Sequence, residues 1–189
     1  MKPRISLRQS LQDPNLLGGA LSGDSWHPWR TLLIAAMGEP LYDDEREIFT
    51  KLTGRDREPL QRVDQFAAVI GRRGGKSKAI ATVATYIAGL CDHRDALVPG
   101  ERGVLLCVAL DQRVAKIILD YAEACFERSP ILMQLIAEPN DRRVRLTNGT
   151  TLSPPLSASC VAPRTSPSSP TSWPSGTWTR PTPTRTSRS

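Results

Sequence analysis

Seven consecutive residues, Gly71, Arg72, Arg73, Gly74, Gly75, Lys76 and Ser77, bring together the three residue types that polyphosphate binding requires. Glycines allow backbone N–H groups to approach an anion closely. A lysine on a flexible stem reaches the outer phosphates, and an adjacent hydroxyl can ligate magnesium. On this reading Gly74 and Gly75 give the close approach, Lys76 the cation and Ser77 the Mg2+-ligating hydroxyl. Arg72 and Arg73 would stand beside the γ-phosphate, where a guanidinium stabilises charge. The spacing departs from the GxxxxGK[ST] pattern, because Ile70 holds the first position and Gly71 comes one residue late. A plain glycine turn with a solvated lysine, serine and at least one solvated arginine is the competing explanation.

No other cluster offers comparable chemistry. Cys91, Cys107, Cys125 and Cys160 are 16, 18 and 35 residues apart, without a CxxC pair, and read as buried free thiols rather than zinc ligands. His27 and His93 each stand alone. The acidic run Asp43-Asp44-Glu45 reads as a solvated helix start, favoured by the helix dipole.

The flanking residues must hold the seven in place. Phe66 to Ile70 is a short apolar run, which predicts a buried strand ahead of the loop. After the loop, Ile80, Val83, Ala84, Ile87 and Cys91 recur at helical spacing. A second strand is predicted over 103–108 after the Pro99-Gly100 turn. A helix then follows with Val114, Ile117, Ile118, Tyr121 and Cys125 on one face, ending or kinking at Pro130. Strands alternating with helices imply a parallel sheet with right-handed crossovers. Arg143 to Leu146 alternates, and Asn148-Gly149 predicts a hairpin with its second strand through Leu152. Upstream, Ser25 is the expected cap of a helix through Trp29, Leu32, Leu33 and Ala36. A shorter helix is expected from Asp43, with Asp44 and Glu47 at capping-box spacing and Ile48, Phe49 and Leu52 as its apolar face. Residues 1–24, polar and glycine-containing, read as a flexible arm. The fold class expected is α/β: an incomplete P-loop NTPase parallel sheet with flanking helices over 25–152, and a disordered tail over 153–189.

With its strand-turn-helix setting, GRRGGKS resembles the nucleotide loop of the large terminase subunit of tailed bacteriophages, whose loops commonly carry arginine before glycine-lysine-serine. The upstream WHPWRTLLIAAMGEPL and EREIFTKLTGR, and the downstream VLLCVALDQRVAKI, are similar to the same family, so the resemblance spans roughly Trp26 to Leu152. It implies an ATP- and Mg2+-dependent motor that drives double-stranded DNA into a procapsid, with the small terminase subunit and the portal as partners. By that analogy Lys76 and Ser77 contact phosphate and magnesium, and Arg72 matches the loop arginine. The family continues with an acidic Walker B strand, a coupling motif and a metal-dependent nuclease domain. Another P-loop ATPase of helicase-like type, or a non-enzymatic nucleic-acid-interacting protein using a basic tail, are the alternative readings.

Residues 153–189 contain 10 Ser, 7 Thr, 8 Pro and four Arg, with no Asp, Glu or Lys. They carry four of the six net positive charges, so the basic balance describes the tail and not a nucleic-acid surface on the body. Hydrolysis needs carboxylates to hold magnesium and orient water, and none follows Leu152. Read one base over, the Trp173-Pro174 codons force Ala and the Trp178-Thr179 codons force Asp. Pro170 to Gly176 then permit Asp-Glu-Leu-Ala-Phe-Trp, which looks like a terminase Walker B segment. A frameshift near Leu152 is therefore expected, with nucleotide binding kept and hydrolysis lost. A genuine Ser/Thr/Pro-rich tail is the other explanation. No apolar run approaches the roughly 20 residues of a membrane helix, and no secretory signal is evident, so a cytoplasmic protein of a bacterial host cell is expected.

Overall fold

Helix α1 (Leu7–Gln12) begins at Ser6, whose hydroxyl accepts the Gln9 N–H at 3.1 Å while the Gln9 side chain accepts the Ser6 N–H. This reciprocal cap satisfies two N–H groups that would otherwise be orphaned. The computed structural model describes residues 1–98, 100–138 and 143–154. Its contacts divide the chain into Met1–Pro155 and Leu156–Ser189. The second unit, with Cys160 and nearly all of the segment expected to be disordered, lies outside the described residues.

The expected flexible arm over 1–24 is corrected by the structure. Leu7, Leu11, Leu17 and Leu21 are all buried, an apolar set that intervening polar residues mask in the sequence. Strand β1 (Lys2–Pro3) pairs antiparallel with β2 (Cys91–Asp92), anchoring the first residues far along the chain. The Glu39 carboxylate accepts the N–H groups of Leu7 and Arg8, completing the start of α1.

Arg8 then ties α1 to the segment Pro40 to Glu45, which opens the third helix. Its guanidinium donates to both Glu45 oxygens at 2.7 Å and to the Pro40 carbonyl, and it lies 4.1 Å from the Tyr42 ring centroid. Helix α2 (His27–Ala36) is entered through a 3-10 turn over Asp24–Trp26, with Pro28 in its first turn. The expected Ser25 cap is not made: Trp26 stands at that position, without a side-chain cap. Helix α3 (Asp43–Thr53) is present as expected, but the reaching carboxylate is Glu45, which accepts the Tyr42 N–H at 3.0 Å, rather than Glu47. Of its expected apolar face Phe49 is buried and Leu52 exposed.

Gly38 lets the chain cross back over the end of α2. Its φ is +74°, and a Cβ there would lie 2.3 Å from the Gln61 carbonyl carbon. The Val63 N–H donates to Ala36 O at 2.9 Å beside this crossing. Glu58 fixes the intervening segment by accepting from Leu41 N and from the Arg46 guanidinium. Thr31, wholly buried on α2, leaves its hydroxyl without a partner among the described residues. Thr31→Val should therefore raise stability by about 1 kcal/mol, read as a higher denaturant midpoint. An unchanged or lower midpoint would contradict it.

Helix α4 (Lys76–Thr85) packs along α5 (Gln112–Glu127) and continues into a π-helical turn over Tyr86–Leu90. The periodic face expected on α4 is only partly the buried one. Ala79, Ala81, Thr82, Ala84 and Thr85 are buried, whereas Ile80 is half exposed. On α5 the buried side chains are Ala115, Ile118, Leu119, Ala122, Cys125 and Phe126, and the expected Val114, Ile117 and Tyr121 remain outside. Small residues on both helices permit the close approach.

The sheet is mixed, in the order β3-β6-β5-β4. Strand β3 (Val104–Leu106) runs parallel to β6 (Thr151–Ser153). Strands β5 (Val144–Leu146) and β4 (Ile136–Glu138) add antiparallel. The parallel sheet expected from sequence is thus reduced to one parallel pair, β3 with β6, and the expected hairpin strands join it in an antiparallel meander. The hairpin at Asn148-Gly149 is present: Gly149 has φ +86°, and Asn148 Oδ1 accepts the Thr150 N–H. Asn148 Nδ2 also donates to Ala88 O at 2.7 Å, tying the hairpin tip to the π-helical turn. Ser129 caps the short α6 (Pro130–Met133), so Pro130 opens a helix after α5 ends.

The buried strand expected over Phe66 to Ile70 does not form. This segment makes no ladder, Phe66 is 46% exposed and Val69 fully exposed. A strand needs a neighbour's N–H and C=O groups, and among the described residues β3 pairs only with β6. Val104 and Leu106 on β3, and Val108 and Leu110 in the chain just beyond it, are all exposed.

Candidate functional site: the glycine-rich loop at the start of α4

Residues Gly71 to Ser77 form a tight turn that delivers the chain directly into α4. The Gly74 N–H approaches Gly71 O at 3.4 Å, and Arg73 adopts φ +60°, left-handed and unusual for a residue with a Cβ. Gly75 is the N-cap, with φ +75° and ψ +5°, and Lys76 is the first residue of the helix. A left-handed residue followed by right-handed ones turns successive N–H groups to the same side. The amides of Gly75, Lys76 and Ser77 therefore converge. The first intrahelical bond runs from Ala79 N–H to Gly75 O, so Lys76, Ser77 and Lys78 are the open N–H groups of the first turn. Together with the dipole of a ten-residue helix, this makes an anion-favouring concavity.

The side chains around it are cationic. Arg72, Arg73 and Lys76 are exposed, and none has an ion-pair partner among the described residues. Ser77 is half-buried at the second position of the helix. Lys78 turns back, its Nζ 4.8 Å from the Trp26 ring centroid.

Two tryptophans support the loop from behind. The Trp29 indole N–H donates to Gly74 O at 2.7 Å. The Trp26 ring lies against Gly75, where a Cβ would come within 2.6 Å of Trp26 Cη2, and a Cβ on Gly74 would meet Ile70 Cγ2 at 2.3 Å. Both glycines thus answer close approaches, and Gly75 also a left-handed backbone. Neither Trp26 nor Trp29 could be assigned to the loop from spacing, since they precede it by about 45 residues; the only signal is the pairing of two aromatics in one helical entry, WHPW.

Comparison of the chain with family models, with curated proteins and with solved structures gives no match. The reading of the site accordingly rests on its geometry.

Of the remaining candidates among the described residues, only His27 and the acidic run come together, through Asp44. Cys91, Cys107 and Cys125 are free and buried, and burial raises all three thiols, Cys91 to about 11. Such thiols are poor nucleophiles. His27 lies 3.8 Å from Asp44, and His93 meets the Ile87 carbonyl. Among the described residues no group of three His, Cys, Asp or Glu side chains is placed to hold a metal ion. Within the acidic run, Asp43 pairs with Arg46 and Glu45 with Arg8. No helix among the described residues is long and apolar enough to cross a membrane.

Proposed function

We propose that Gly71 to Ser77 binds the phosphates of ATP with Mg2+, and that the chain is the nucleotide-binding part of a phage terminase large subunit in which hydrolysis has been lost. The observation carrying this reading is the loop itself: a left-handed Gly75 leading straight into α4, with an exposed lysine as the first helical residue. The phosphate groups fit these donors and cations. Magnesium would find one protein oxygen, the Ser77 hydroxyl, and its remaining positions suit phosphate oxygens and water, as this ion commonly arranges them. When bound, the metal would supply charge neutralisation across the outer phosphates. Lys76 would reach the same oxygens, and Arg72 and Arg73 would screen the entering charge.

Turnover requires more than this cradle. A carboxylate must hold the metal, and a second group must orient the attacking water. Residues 153–189 contain no Asp or Glu, which supports binding without hydrolysis. Double-stranded DNA, the small terminase subunit and the portal enter only through the terminase resemblance.

The test is calorimetric titration of the full chain with Mg·ATP. Lys76→Ala should weaken binding about 10–100-fold, the range for a lost charged hydrogen-bonding partner, and the parent should release no phosphate. Equal affinity in Lys76→Ala would remove the phosphate reading. A hydrolysis rate that Lys76→Ala abolishes would remove the claim of lost turnover.

A further inference from the structure

We infer that Trp29 is a positioning residue for the anion site: by holding the Gly74 carbonyl, it turns the Gly75 N–H into the mouth of the loop. This rests on the polyphosphate reading above and names a device within the same site.

The C=O and N–H of one trans peptide point in opposite directions, and the chain has no cis peptide among its described residues. The peptide between Gly74 and Gly75 therefore has only two useful orientations. In the one observed, its oxygen accepts the Trp29 indole N–H at 2.7 Å. Its N–H consequently faces away from Trp29 and joins the amides of Lys76 and Ser77. Were the plane flipped, a carbonyl oxygen would project where a phosphate oxygen must sit, replacing a donor by a repelling dipole.

Such a flip is sterically easy here and hard elsewhere in the loop. Neither Gly74 nor Gly75 carries a Cβ to resist it, and the Trp26 ring packed on Gly75 forbids adding one there. The freedom that admits the anion thus also admits the wrong peptide orientation, and the loop needs an external pin. Tryptophan suits that role because its indole nitrogen only donates, so it can be satisfied only by the carbonyl orientation. Trp29 is buried in α2 and has little room to swing aside.

The experiment titrates inorganic tripolyphosphate into the full-length parent, Trp29→Phe and Lys76→Ala, each first shown to melt cooperatively. Trp29→Phe keeps an aromatic ring and removes the donor; it should weaken binding about tenfold, one hydrogen-bonding orientation lost. In the parent, the Gly75 amide proton should move downfield with added tripolyphosphate in 15N-resolved NMR. This second measurement stands even if Trp29→Phe does not fold. Binding by Trp29→Phe within about twofold of the parent, while Lys76→Ala loses it, would overturn the role of Trp29 and leave the phosphate reading intact. So would a Gly75 amide that stays still while the Lys76 amide shifts. A parent that binds no tripolyphosphate overturns both.

Discussion

Arg8→Ala should destabilise the chain by about 3–5 kcal/mol, the loss typical of breaking a buried ion pair from one side. Glu45 is 6% exposed and has both carboxylate oxygens on the Arg8 guanidinium at 2.7 Å. Without that partner, the carboxylate keeps only the Tyr42 N–H and must either ionise unpaired or take up a proton. Arg8 also carries the Pro40 carbonyl and the Tyr42 ring, so α1 and the start of α3 loosen together. The expected measurement is a large fall in denaturant midpoint with an unchanged slope. Arg8→Met combined with Glu45→Leu should recover most of the loss, because a matched apolar pair removes both desolvated charges. A loss under about 1 kcal/mol in Arg8→Ala would place the pair in the weak class of solvated bridges.

The same pair gives a pH dependence with a definite sign. Burial pushes the Glu45 carboxyl up, but the Arg8 hydrogen bonds, the Tyr42 N–H and the Arg8 charge outweigh it and hold the group below its ordinary value. A depressed folded value means that the unfolded chain binds the proton first as pH falls. The stabilisation is therefore complete above the ordinary glutamate range, near pH 4.3, and is lost on acidification through the lower folded value. In Glu45→Gln that acid-side slope should be shallower.

Gly38→Ala should be the most damaging single methyl addition to the helical layer, at least about 2 kcal/mol. Two effects coincide there: φ is +74°, and the new Cβ would stand 2.3 Å from the Gln61 carbonyl carbon and 2.5 Å from Arg62 N. Both neighbours are backbone, so relief requires moving the crossing segment and stretching the Val63 to Ala36 hydrogen bond. Gly54 separates the two causes. Its φ is +69°, but open space surrounds it, so Gly54→Ala should show only the left-handed penalty of about 1–2 kcal/mol. Equal losses at the two sites would show that the steric collision at Gly38 contributes nothing.

What the sequence makes legible follows the range of the forces involved. The hairpin at Asn148-Gly149 and the helix opening at Lys76 are set by local chemistry, a turn dipeptide and a glycine pair before a helical run, and both appear where expected. Helix α5 is legible as a helix, yet its inward side only in part: Ile118 and Cys125 are buried as expected. Val114, Ile117 and Tyr121 are larger than Ala115 and Ala122, but close packing against α4 selects the small residues. The run Phe66 to Ile70 has the composition of a strand and no ladder partner among the described residues, because a strand exists only in company. Residues 1–24 mislead for the opposite reason. Their order comes from distant partners, Cys91, Glu39 and Glu45, which no local pattern announces. In the loop, the donors and the cation are readable by spacing, whereas its tryptophan supports depend on how α2 meets α4.

The exposed apolar side chains on and just after β3 separate two properties that engineering tends to treat as one. Val104, Leu106, Val108 and Leu110 lie mostly outside the interior, so filling or repairing that interior, as at Thr31, raises the melting point without changing this exposed apolar surface. A lysine placed among these exposed side chains should lower the tendency to associate while leaving the folding equilibrium almost where it was.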